Sequence, residues 1–101
     1  MSKTRVEIDS DLKDLIPQFI ENRKKDIDSL QSLVATHDLT AIAALAHKIK
    51  GAAAGYGFSD LSSIAAEIEK EAKNNNDASL QKLAQNMRTH FENIEIHFVS
   101  M

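Results

Sequence analysis

Apolar residues recur at spacings of three, four and seven along most of the chain. Leu12, Leu15, Ile16, Phe19, Ile20, Ile27, Leu30 and Val34 form the first such stripe, the mark of an amphipathic helix. Pro17 interrupts it. Proline lacks an N–H and clashes with the preceding turn, so the pattern predicts a short helix over about residues 9–16, capped by Asp9 or Ser10, then a longer one from Pro17 to about Ala35. Thr36-His37-Asp38 reads as a turn with Asp38 as the next N-cap. The following helix turns Leu39, Ile42, Leu45, Ile49 and Ala53 inward and is expected to end near Ala54, where Gly55-Tyr56-Gly57 acts as a breaker. A further helix starts at about Phe58 or Ser59, buries Leu61, Ile64, Ala65, Ile68 and Ala72, and stops at Asn74-Asn75-Asn76. With Asp77 as cap, Leu80, Leu83, Ala84, Met87, Phe91, Ile94 and Phe98 form the last stripe.

The residues before Asp9 read as a polar arm, and no strand pattern or internal repeat is apparent. Four main helices of about 15–21 residues, some 22–32 Å each at about 1.5 Å per residue, joined by short turns, predict an all-α fold. The expected architecture is an antiparallel up-down four-helix bundle with a short additional N-terminal helix. Residues 1–101 form one domain, because a chain of 101 residues can bury one core but not two.

Composition narrows the function. Fifteen acidic and 12 basic residues leave a net charge of −3, and only five residues are aromatic. That balance argues against nucleic acid as a partner, which calls for a basic face with stacking rings. There is no cysteine, so no disulfide or zinc–thiolate site is available. No apolar run approaches the roughly 20 residues that span a bilayer, and no hydrophobic signal region follows the first charges. A cytoplasmic, monomeric protein is expected, with no membrane partner.

The glycines change the picture most. All three, Gly51, Gly55 and Gly57, fall within ten residues after His47. Gly51 lies in otherwise helical sequence, where glycine costs about 1 kcal/mol relative to alanine. A residue four places on lies one turn along the same face, so Gly51 removes a side chain beside His47. At about 100° per residue, His47 points roughly 200° away from Leu45 and Ile49, which define the buried stripe. Its own face reads Thr40, Ala43, Ala44, His47, Lys50, Gly51 and Ala54. The ring is cleared by small neighbours, with Lys50 one turn on and Lys48 beside it able to offset the charge of an anionic group. Neutral imidazole, with a reference pKa near 6.5, offers a nucleophilic lone pair at neutral pH. A solvated histidine on an alanine-rich helix is the plainer alternative, and Gly51 is what argues against it.

His47-Lys48-Ile49-Lys50-Gly51-Ala52-Ala53, with Gly57 following and the Leu61, Ile64, Ile68-Glu69 helix beyond, resembles the histidine-containing phosphotransfer (HPt) domain. That family carries a His-x-Leu/Lys-Lys-Gly-Ser/Ala core in a four-helix bundle, and the likeness covers nearly the whole chain. Ile49 stands where leucine is frequent and Ala52 where serine is frequent. The resemblance implies that His47 is the phosphoacceptor. It further implies that Glu69, 22 residues later, accepts from Nδ1–H and leaves a lone pair on Nε2, the orienting logic of catalytic triads.

By that resemblance the chain is a phosphorelay intermediate without autokinase activity. It would exchange phosphoryl groups with receiver domains of response regulators and of a hybrid sensor histidine kinase. It needs no cofactor or metal of its own, because Mg²⁺ comes with the receiver. The expected docking face is His47, Lys50, Gly51 and Ala54, with the short first helix nearby. Two other readings stay open: a docking module in which His47 is never phosphorylated, and an enzyme using His47 and Glu69 as an acid–base pair, which would call for an enclosed pocket.

The remaining signals are weaker. Gly55-Tyr56-Gly57 is not followed by the Lys-Ser/Thr of a phosphate loop. His37 reads as a turn residue. His90 and His97, about 10 Å apart along one helix, are too distant to share a metal and read as partly buried edge positions. Lys24-Lys25, the acidic stretch Glu67 to Glu71, and Lys70 to Lys73 read as solvated faces.

Overall fold

A computed structural model describes residues 3–100. A strand, β1 (Thr4–Asp9), leads into a 3₁₀ turn over Ser10–Leu15, which runs on into α1 (Ile16–Ala35). Then come α2 (Leu39–Tyr56), α3 (Ser59–Lys73) and α4 (Asp77–Glu92), and a closing strand, β2 (Ile94–Val99). The four helices form a bundle in which each packs on its sequence neighbour and α4 closes against α1.

Local chemistry sets the element ends. Asp9 caps the 3₁₀ turn, its carboxylate accepting from the N–H of Asp11 at 3.0 Å, and Pro17 stands in the first turn of α1, where no N–H is needed. Asp38 caps α2 by accepting from the Ala41 N–H at 3.2 Å. Left-handed residues at His37, Gly57 and Asn75 each reverse the chain after a helix. At Gly57 the bonds from Gly57 N to Ala54 O and from Phe58 N to Ala53 O make the paired closure of a Schellman turn.

The core is built from Phe58, Ile8, Ile27, Leu30, Ile42, Ile49, Leu61, Ile68, Leu80 and Met87. Phe19 stacks between Tyr56 and Phe58, with ring centroids 4.8 and 4.6 Å away, which ties α1 to the end of α2.

The structure corrects several expectations. The polar arm and the tail of the last helix are strands, paired in parallel with Thr4 opposite Ile94 and Ile8 opposite Phe98, so the fold is a helical bundle with a two-stranded sheet. Val6, Ile8, Ile94 and Ile96 lie against the core while Arg5, Glu7 and Glu95 face out, the period-two alternation of a half-buried strand. Phe98 is not part of a helical stripe and stands 38% exposed. Helix α2 runs two residues past Ala54, and Gly55 is helical, so only Gly57 breaks it. Its buried stripe is Ile42, Ala46, Ile49 and Ala53, with Leu45 and Leu39 at the edge. Asn76 rather than Asp77 takes the cap position of α4, without a side-chain cap bond; its amide nitrogen donates to Glu71.

Candidate functional site

Helices α2 and α3 pack along their length, and the site lies where their outer edges meet. His47 follows the buried Ala46 and so projects away from the core, with its side chain 69% exposed. Glu69 follows the fully buried Ile68 on α3, and its side chain is only 11% exposed. The two meet through His47 Nδ1 and Glu69 Oε2 at 3.1 Å.

Glu69 is held from three directions. Lys50 Nζ lies 2.9 Å from Oε1, and Lys73 Nζ lies 3.2 Å from Oε2, the oxygen that also faces the imidazole. The hydrogen bond from Lys50 does most to hold the carboxyl well below its ordinary range; burial acts in the opposite sense, and Lys73 adds to the lowering. The result is a pKa of about 2 against an ordinary 4.5, so Glu69 is a carboxylate across the neutral and mildly acidic range. A carboxylate only accepts. Nδ1 therefore carries the proton, and the unshared lone pair of the ring sits on Nε2.

The face around the ring is bare. A Cβ placed on Gly51 or on Gly55 would meet nothing within 4 Å, and Ala44 and Ala54 are exposed, with Ala43 half-buried. The cleared strip is longer than the sequence reading made it. Gly55 continues it by another turn instead of ending the helix. Ser62 ties α3 to α2 beside it, its hydroxyl donating to the carbonyl of Lys50 at 3.0 Å.

Of the expected residues, His47, Lys50 and Glu69 come together. Lys48 does not join them: its ammonium lies 3.3 Å from Asp26 Oδ1 on α1, on the opposite flank of α2. Asp26 is buried and also accepts from Arg23 Nε at 2.9 Å, with the Arg23 guanidinium over the Phe19 ring at 5.2 Å. Sequence reasoning missed this cluster, although Arg23 and Asp26 interrupt the apolar stripe between Phe19 and Leu30 at spacings of four, three and four. It also missed Lys73, whose signal was a Glu-to-Lys spacing of four on one helix. Among the described residues, no group of three or more His, Cys, Asp or Glu side chains is placed to hold a metal ion.

The sequence model of the family described as Hpt domain matches residues 14–97. The chain belongs to the Hpt domain family. No curated protein and no solved structure matches it significantly. Hpt domains serve phosphotransfer in two-component signalling and generally meet receiver domains. In this Hpt domain the match spans all four helices and most of β2, and leaves β1 and most of the 3₁₀ turn outside. No described helix is long and apolar enough to cross a membrane.

Proposed function

We propose that this Hpt domain carries a phosphoryl group on Nε2 of His47, taking it from the aspartyl phosphate of one receiver domain and giving it to the aspartate of another. The observation that carries the reading is the hydrogen bond of Nδ1 to a buried, ionised Glu69 beneath a ring that is otherwise open to solvent. The Nε2 lone pair attacks phosphorus, the Nε2–P bond forms, and the P–O bond to the donor aspartate breaks with its electron pair returning to that carboxylate. The ring then bears a positive charge while Nδ1 keeps its proton, and Glu69 stabilises it. In the second half the acceptor carboxylate attacks phosphorus and the N–P electron pair returns to Nε2, regenerating the neutral imidazole.

The domain works as a monomeric carrier without autokinase activity, and Mg²⁺ belongs to the receiver. The strip of Ala44, His47, Gly51, Ala54 and Gly55 supports close approach of a receiver's acidic pocket, and Lys50 and Lys73 give the site a complementary charge. The open surface around the ring disfavours an acid–base enzyme, which works better from a water-excluding cavity.

Incubation with a phosphorylated receiver is expected to label His47. A His47→Gln protein that still takes the label overturns the assignment. Receiver binding that survives His47→Ala, with no transfer from any receiver of the source organism, would instead make the domain a docking module.

A further inference from the structure

The charge around His47 does not balance through Lys50 alone. Glu69 brings one negative charge, and Lys50, 2.9 Å from Oε1, cancels it. Lys48 is engaged with Asp26. A phosphoryl group adds about −1.5 to −2 at neutral pH, and the ring charge acquired on phosphorylation offsets only part of that. One further cation stands at the site: Lys73, 3.2 Å from the same Glu69 oxygen that holds Nδ1.

We propose that Lys73 supplies the surplus positive charge needed to seat a phosphoryl group on His47. The inference rests on the phosphotransfer reading above. Three features fit the role. Lys73 lies four residues after Glu69, so the α3 backbone sets its distance from the carboxylate. It stands in the last turn of α3, where the helix carbonyls favour a cation. Its side chain is 66% exposed, so the ammonium, with three donors on a flexible stem, can turn from Oε2 toward a phosphoryl oxygen without leaving the site. Before phosphorylation the second lysine leaves Glu69 and its partners with one excess positive charge; afterwards the cluster is close to neutral.

Phosphoramidate tests this without a receiver. Its P–N bond breaks, ammonia leaves with the electron pair, and the Nε2–P bond forms on His47. Labelling followed by ³¹P NMR is expected to slow about three- to tenfold in Lys73→Met, the scale of one partly screened charge. Lys73→Arg should restore most of the rate. Lys82→Met, which removes the same charge from α4, should stay within about twofold of the parent. Thermal melts should place all three variants near the parent protein.

Equal labelling of the parent and Lys73→Met overturns the role of Lys73. So does an equal loss in Lys82→Met, which would mean that net charge alone is felt, or a failure of Lys73→Arg to rescue. Labelling by phosphoramidate with no exchange from any phosphorylated receiver would overturn the relay and leave the role of Lys73 in seating the phosphoryl group intact. Absence of label on parental His47 would overturn both.

Discussion

Glu69 Oε2 faces Nδ1 of His47 at 3.1 Å across a gap of 22 residues in the chain, and this pair couples the ring to the seam between α2 and α3. The imidazole itself is exposed, so packing does not fix its orientation. A charged acceptor anchored beside Ile68 does, and because a carboxylate only accepts, it selects the tautomer with the proton on Nδ1.

The low pKa of Glu69 gives stability a pH signature. Its folded value of about 2 lies below the ordinary 4.5, so between those values the unfolded chain binds the proton more readily. The stabilisation from this carboxylate is complete above pH 4.5 and is lost as pH falls toward 2. Thermal melts of the parent and Glu69→Gln should therefore differ most near neutrality, and the gap should close between pH 4.5 and 2. A gap independent of pH in that window would mean that the lysines do not hold the carboxylate.

Gly51 should separate folding from access. A Cβ there meets nothing within 4 Å, and replacing a mid-helix glycine gains roughly 0.5–1 kcal/mol. Gly51→Gln is expected to melt at or above the parent temperature. Transfer from a phosphorylated receiver should slow by on the order of tenfold, because a displaced partner loses its attack geometry. Labelling by phosphoramidate, which needs little room, should be nearly unchanged. Rapid-quench transfer assays matching the parent would show that the bare strip does not admit the receiver.

His90 makes a different prediction. Its Nε2 is buried without a hydrogen-bond partner among the described residues, and burial lowers its pKa below the ordinary 6.5, with Asp60 acting in the opposite sense. A base depressed in this way leaves stability whole above pH 6.5 and erodes it as pH falls, since the unfolded chain takes the proton first. His90→Phe should lose less stability than the parent between pH 7 and 5. Urea midpoints with the same pH slope in both proteins would contradict this.

The helices were legible because their stripes are long and strongly periodic, and Asp9, Pro17 and Asp38 mark their starts. The two strands were not. In β2, Ile94 and Phe98 are four apart, a spacing that suits a helix face, and the competing alternation of Ile94, Ile96 and Phe98 covers only five residues. Its partner lies at the other end of the chain, where β1 has the same brief alternation in Val6 and Ile8, so neither segment reads as a strand until the two are brought together. At the site, Gly51 and the small residues pointed to His47 directly, whereas Glu69 was picked out by family resemblance. The destination of each lysine was hidden, because Lys48, Lys50 and Lys73 occupy similar solvated positions in the sequence and only the bundle decides which carboxylate each one reaches.

The parallel pairing of β1 with β2 also has a temporal side. Thr4 sits opposite Ile94, so β1 finds its partner only after all four helices have been made. Closing so distant a contact is slow relative to forming local helix pairs. A nascent chain stopped at Glu92 would contain every helix and every residue of the His47 site, yet leave Val6 and Ile8 without the strand they pair beside. Every residue of the His47 surface is thus made before the strand that completes the sheet.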